Sequence, residues 1–153
     1  MLSGAGLSIA LVATGGFFGG VVRHAVTDIV ARRTGAGFPW GTVAVNASGS
    51  FAIGGLAGVL AGPPTGPWAG VVETAGAEFA ARLAEGDAVW AALGIGLLGA
   101  YTTVSSVSLQ TLALWRDGRR AAALANLVGT AVLCLAAAAT GLGAVHLVGF
   151  GAP

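Results

Sequence analysis

Residues 94–108 read Gly94-Ile95-Gly96-Leu97-Leu98-Gly99-Ala100-Tyr101-Thr102-Thr103-Val104-Ser105-Ser106-Val107-Ser108. The passage lies near the middle of 88–115, a run of 28 residues without a charge. A helix needs about 20 mainly apolar residues to cross a bilayer, so this run is long enough. Yet three glycines are followed by five hydroxyl residues within seven positions. Glycine and β-branched threonine are poor helix formers. Two arrangements accommodate them. In one, the helix is continuous and its Ser and Thr bond back to carbonyls of their own turns. In the other, the helix breaks near its middle. Five hydroxyls exceed ordinary packing needs, which favours the break. A broken membrane helix is tolerated only where its backbone faces protein or water. Its freed carbonyls suit a cation, and the hydroxyls of Thr103, Ser105, Ser106 and Ser108 suit an anion.

The rest of the chain points to the same environment. The 153 residues include only seven arginines and six Asp or Glu, or 8% charged; a soluble domain carries roughly 25%. Hydrophobic residues make up 56%. So few charges cannot cover a water-exposed surface, which excludes a soluble enzyme and a disordered chain. A formal net charge of +1 leaves no overall basic field for nucleic acid. The one cysteine, Cys134, sits in an apolar run, so there is no disulfide framework and no thiolate metal site. Glycine is abundant, 27 residues or about 18%, against roughly 7% in average proteins. The chain reads as an all-α integral membrane protein, one four-span domain over 1–153.

Four charge-free runs qualify as spans: 4–22, 38–61, 88–115 and 121–153. The first continues past Arg23, giving spans of about 5–30, 38–61, 88–115 and 121–147. The start is not expected to be a cleavable signal peptide, because it lacks a basic n-region and its apolar run is too long. Loop two begins Gly62-Pro63-Pro64-Thr65-Gly66-Pro67, which breaks a helix. It then spaces Trp68, Val71, Val72, Ala75, Phe79 and Leu83 helically over about 68–85. That segment either lies in the interface or packs on the bundle. Loops one and three share one side of the membrane and hold Arg32, Arg33, Arg116, Arg119 and Arg120, while loop two holds only Arg82. Arginine marks the cytoplasm, so this chain taken alone is expected to have both termini outside.

Several residues are out of place in lipid. Thr42, Asn46 and Ser50 fall at i, i+4 and i+8 on one helix face, which Gly54 and Gly58 extend. Ser50 and the glycines read as helix-packing residues. Asn46 reads as lining a path, since an unpaired carboxamide costs several kcal/mol in hydrocarbon. Arg23 either snorkels at the membrane edge, where it can attract anions, or pairs with Asp28. Gly15/Gly19 and Gly16/Gly20 are small-residue pairs for close packing. Asn126 and Thr130 either join the polar track or pack in the core, and His24 and His146 read as interfacial. No Asp or Glu falls inside the four apolar runs, whereas proton-coupled pumps usually need one. There is no phosphate loop, zinc spacing or nucleophile elbow. A passive path is the simplest functional class, and nothing supports an enzyme.

These motifs, taken together, resemble the bacterial Fluc (CrcB) fluoride channels. The matching features are Gly15-Gly16-x-x-Gly19-Gly20-x-x-Arg23, then Phe38-Pro39-Trp40-Gly41-Thr42-x-x-Val45-Asn46-x-x-Gly49-Ser50-Phe51, then Gly99-x-Tyr101-Thr102-Thr103-x-Ser105-x-x-Ser108, and four spans. The resemblance covers about residues 8–145. It implies an antiparallel dimer in the cell membrane with two fluoride pores along the interface. It also implies a structural, non-transported sodium ion at the dimer centre, held by carbonyls that match Gly99 and Thr102. Asn46 matches the family's pore asparagine and Arg23 its arginine near the pore entrance. Thr42, Thr103, Ser105 and Ser108 complete the pore set. The family's third-helix motif carries two phenylalanines whose ring edges contact fluoride; here Val104 and Val107 stand in their places. That departure and the arginine asymmetry share one reading, a half-pore subunit paired with an oppositely oriented paralogue. A homodimer is the family default. A small multidrug-type exporter is the competing class, but its first-helix glutamate is absent. A non-conducting supporting subunit is the third.

Overall fold

The computed structural model describes residues 4–61 and 88–148, and among these every regular element is a helix. The amphipathic segment expected at about 68–85 lies outside the described residues. Helix α1 is Gly4–Thr34 and α2 is Trp40–Ala61. The third span is in two pieces. Its first piece, α3, is wound with π spacing over Trp90–Leu98 and closes in a turn at Gly99–Tyr101. Its second piece, α4, is Val104–Arg116. The fourth span, α5, is one rod of three end-to-end stretches: Arg120–Leu124, Ala125–Gly129 and Thr130–Leu147. α1, α2, α5 and the two pieces of the third span taken together over Trp90–Arg116 are each long and apolar enough to cross a membrane.

The helix ends follow from local chemistry. α1 runs to Thr34, beyond the expected end near residue 30, because Asp28 and Arg32 pair one turn apart and Arg32 and Arg33 sit in its last turn. Cations are favoured there by the exposed carbonyl ends. Gly35 then takes φ +77 and its N–H caps the Ala31 carbonyl, a stop open to glycine without penalty. α4 ends likewise. Gly118, at φ +76, donates to the Trp115 carbonyl and Arg119 N–H donates to the Leu114 carbonyl. That double bond pattern is a Schellman stop. It reverses the chain within three residues and sends α5 back through the membrane.

Packing rests on missing side chains more than on large ones. A Cβ on Gly54 would run into the Ala138 carbonyl oxygen, and one on Gly141 into that of Phe51. α2 and α5 therefore touch backbone to backbone over much of their length. Of the two glycine pairs on α1, Gly15/Gly19 makes the close approach, to the backbone of α3, while a Cβ on Gly20 would meet open space. The buried apolar set is small and includes Val43, Val45, Trp90, Val107 and Leu114. Phe17, Phe18, Val132 and Leu135 point outward, as lipid-facing residues need no burial within the protein.

The third span does break. Thr102 (φ −81, ψ 157) and Thr103 (φ −153, ψ 119) are both extended. They are the thirteenth and fourteenth residues of the 27 in Trp90–Arg116, its centre. The alternative of local back-bonding is also realised in part: Thr102 Oγ1 donates to the Leu98 carbonyl and Ser108 Oγ to that of Val104.

Candidate functional site

The break is held by Asn46. Its Nδ2 donates to the Thr103 carbonyl at 2.9 Å, and its Oδ1 accepts the Thr103 N–H at 2.7 Å. The carboxamide thus pairs with one residue's peptide groups as a neighbouring β-strand would. Asn46 is only 6% exposed, so both bonds lie away from solvent and their loss is costly. Gly49, one turn along α2, lets the Thr102 methyl and the Tyr101 ring approach; a Cβ there would strike both. Ser48 Oγ and Tyr101 Oη share a 2.9 Å bond beside it. The pattern of the α2 stripe, one carboxamide between small residues, exists because a second backbone must come within hydrogen-bond reach.

Thr103 also starts α4. Its Oγ1 accepts the Ser106 N–H at 3.2 Å, the bond of an N-cap, and it bonds to the hydroxyls of Ser105 and Ser106 at 3.1 Å each. Val104, Ser105, Ser108 and Leu109 lie on the exposed side of α4, with Val104 at 81%. Val107 is buried. The two valines therefore face different surroundings, and only Val104 is on the outer surface. Ser108 keeps its proton on the Val104 carbonyl.

At the break and one turn before it, the Thr102 and Gly99 carbonyls accept no hydrogen bond from any described residue. The Thr103 N–H, which would have reached Gly99 in a continuous helix, is held by Asn46 instead. The described residues hold no group of three or more His, Cys, Asp or Glu that could bind a metal ion. The donors at the break are neutral oxygens, which fit a hard monovalent cation better than a transition metal.

One turn before Asn46, Thr42 is buried and accepts a 2.8 Å bond from Nε2 of Gln110. Both line a cavity of about 330 Å³ that opens at the loop end between Thr27 and Ala31 of α1, residues 35–41 and Arg119. Arg119 crosses the opening to donate to the Gly37 carbonyl. Gln110 Oε1 is buried with no partner among the described residues. Sequence reasoning passed over Gln110. The available signal was an amide inside the charge-free run, one turn after Ser106. Asn126 is fully buried against α4, where Nδ2 donates to the Val107 carbonyl at 3.2 Å and to Thr111 Oγ1 at 2.8 Å. It ties α5 to α4, while Thr130 Oγ1, one turn on, is buried without a partner among the described residues. Arg23 is half-buried on α1. The Arg23–Asp28 pair is not made, because Asp28 accepts from Arg32. The structure thus joins Asn46, Thr103, Ser105 and Ser106 around the break and Thr42 with Gln110 below it.

The family model described as "CrcB-like protein, Camphor Resistance (CrcB)" matches residues 10–142. The chain belongs to the CrcB family. Among its relatives, "Fluoride-specific ion channel FluC 3" of Brucella suis biovar 1 (strain 1330) is 42% identical over 135 residues, covering 88% of this chain and 89% of the relative. "Fluoride-specific ion channel FluC 2" of Rhodopseudomonas palustris (strain BisB18) is 43% identical over 146 residues, covering 91% and 93%. This CrcB protein is a multi-pass membrane protein, with four helices among the described residues that are long and apolar enough to cross the membrane.

Proposed function

We propose that this chain is a subunit of a fluoride channel that lets the anion leave the cell down its gradient. The observation that carries the reading is Asn46 seated on the broken helix, beside hydroxyls that face the outer surface of α4. One Nδ2–H of Asn46 is committed to Thr103, and the second is left for an anion. The N–H groups of Val104 and Ser105 open the first turn of α4, where donors lack helical partners, and the Ser105 hydroxyl, whose proton rests on Thr103 Oγ1, adds a further donor when it turns outward. Fluoride sheds water only where fixed donors replace it, and a row of amide and hydroxyl groups does so without a transport cycle. Because the α4 side of this row, at Val104, Ser105 and Ser108, is exposed on the single subunit, a second subunit is needed to wall it in. An antiparallel dimer meets that need. Sodium at the axis would be held by the Gly99 and Thr102 carbonyls of each subunit, where it would neutralise the crowded oxygens and pin the two breaks together.

The test is fluoride efflux from proteoliposomes with no proton or cation gradient. Fluoride release above protein-free vesicles, with chloride retained, is the expected outcome. Release that requires an imposed proton gradient would reject a passive channel.

A second reading has its own observation. Val104 presents an aliphatic side chain, 81% exposed, where a partner would be met, and the arginine bias favours one fixed orientation. On this reading the chain is half of a heterodimer, with both termini outside, and an oppositely oriented paralogue supplies aromatic ring edges. Expressed alone, it then rescues a fluoride-sensitive strain poorly, and co-expression restores growth. Full rescue alone, with a C-terminal tag labelled equally from both faces, selects the homodimer.

A further inference from the structure

Residues 35–39 join α1 to α2 and form one wall of the cavity that ends at Thr42 and Gln110. This chamber lies within the single subunit. Its α4 lining is Gln110, Ala113, Leu114 and Asp117. At 3.6 residues per turn these fall on the side of α4 opposite Val104, Ser105, Ser108 and Leu109, the side given above to the partner.

That wall is lightly fastened. Residues 35–37 are exposed. One end is fixed by the Gly35 cap on α1, the other by the Pro39 carbonyl, which accepts the N–H groups of Thr42 and Val43. Between them, Phe38 stacks on its near neighbour Trp40, ring centroids 4.7 Å apart. Among the described residues, the only hydrogen bond from another part of the chain to residues 36–38 comes from Arg119, on the Gly37 carbonyl. The Arg119 backbone is held apart from this, by its N–H on the Leu114 carbonyl. Exposed segments with so few anchoring bonds open at low cost. Behind the wall, Gln110 Oε1 is buried without a partner among the described residues. Buried acceptors are nearly always met, and the donor small enough to reach this one is water. The chamber therefore exchanges with the aqueous side, and Arg119 is the side chain that spans its opening.

We propose that residues 35–39 are a lid on this chamber and that Arg119 is its latch, so that one hydrogen bond sets how freely polar solutes reach Thr42 and Gln110. Gly35, at φ +77, is the hinge, since glycine moves through that region without a steric penalty. When the bond breaks, the guanidinium turns to water and the lid lifts from its middle. The latch stands on the chamber and its rim and does not depend on what the channel conducts.

The test is thiol labelling of the full chain in detergent, on a Cys134→Ala background, read as mass gain against time. Thr42→Cys places the thiol at the chamber floor, and an anionic and a cationic methanethiosulfonate are applied in parallel. Arg119→Ala keeps the N–H that closes the turn and removes the bond to Gly37. It should speed labelling by both reagents about tenfold, the ratio for a net bond of about 1.4 kcal/mol. Leu114→Cys, a second thiol on the chamber wall, should speed likewise. Arg120→Ala removes the same charge one residue away and should leave both rates near wild type. Unchanged labelling in Arg119→Ala would overturn the latch. Slower anionic with faster cationic labelling would make Arg119 a charge at the rim and would also reject it. So would an equal gain at Val45→Cys, a fully buried α2 position outside the chamber, because the whole subunit would then have loosened.

Discussion

Changing Asn46 to Asp is the sharpest perturbation of the break. The side chain keeps its shape and its acceptor for the Thr103 N–H. It loses the Nδ2 donor that holds the Thr103 carbonyl at 2.9 Å, so two oxygens face each other. An orphaned buried acceptor costs about 1–3 kcal/mol. A carboxylate roughly 4 Å from a passing fluoride adds about 4 kcal/mol of repulsion at an effective dielectric constant of about 20. At about 1.4 kcal/mol per tenfold, the charge alone slows fluoride about 10³-fold. Protonation reverses both effects, because the neutral acid carries an O–H that can donate to Thr103 and has no charge. Flux through Asn46→Asp should therefore be absent at pH 7 and return in part as pH falls, with protein-free vesicles as the reference at each pH. Asn46→Leu, which loses both bonds and gains no charge, should lower flux without that pH dependence and destabilise the fold by about 2–6 kcal/mol. A fluoride electrode reading wild-type efflux from Asn46→Asp at pH 7 would refute the assignment.

Thr103→Ala removes the cap on α4 and should cost about 0.5–2 kcal/mol, read as a lower midpoint of thermal unfolding in detergent; an unchanged midpoint would mean the cap is dispensable. Gly141→Leu drives a side chain into the Phe51 carbonyl and should separate α2 from α5, with loss of the monodisperse peak on size exclusion. Gln110→Leu removes both the donor to Thr42 and the buried, unpartnered Oε1, so stability should change by less than about 1 kcal/mol while fluoride flux falls severalfold. Wild-type flux in that variant would place Gln110 outside the anion path.

The spans were legible because charges interrupt the hydrophobic runs so sparsely, and the break because glycines and hydroxyls concentrate at 94–108. What holds the break was not legible. Nothing in the spacing of Thr42, Asn46 and Ser50 says that the amide seizes the Thr103 peptide, 57 positions away. Sequence reasoning gave Asn46 to an anion, yet its first partner is backbone. Gln110 was missed because its role arises only when α4 meets α2 at Thr42. The different surroundings of Val104 and Val107 depend on the turn at which α4 restarts. That phase is set by the Thr103 cap and cannot be counted through an irregular pair of residues.

The clamp at Asn46 also constrains how the subunit is made. Until Asn46 arrives, the Thr103 peptide groups would lie bare at the centre of the span, where each unmet group costs several kcal/mol. The third span is therefore a poor passenger in lipid by itself. Its partner is in the span synthesised just before it, so the asparagine is already in the membrane when the threonines emerge. Insertion of this span and its docking on α2 become one event, and the order of segments along the gene supplies an intramolecular chaperone.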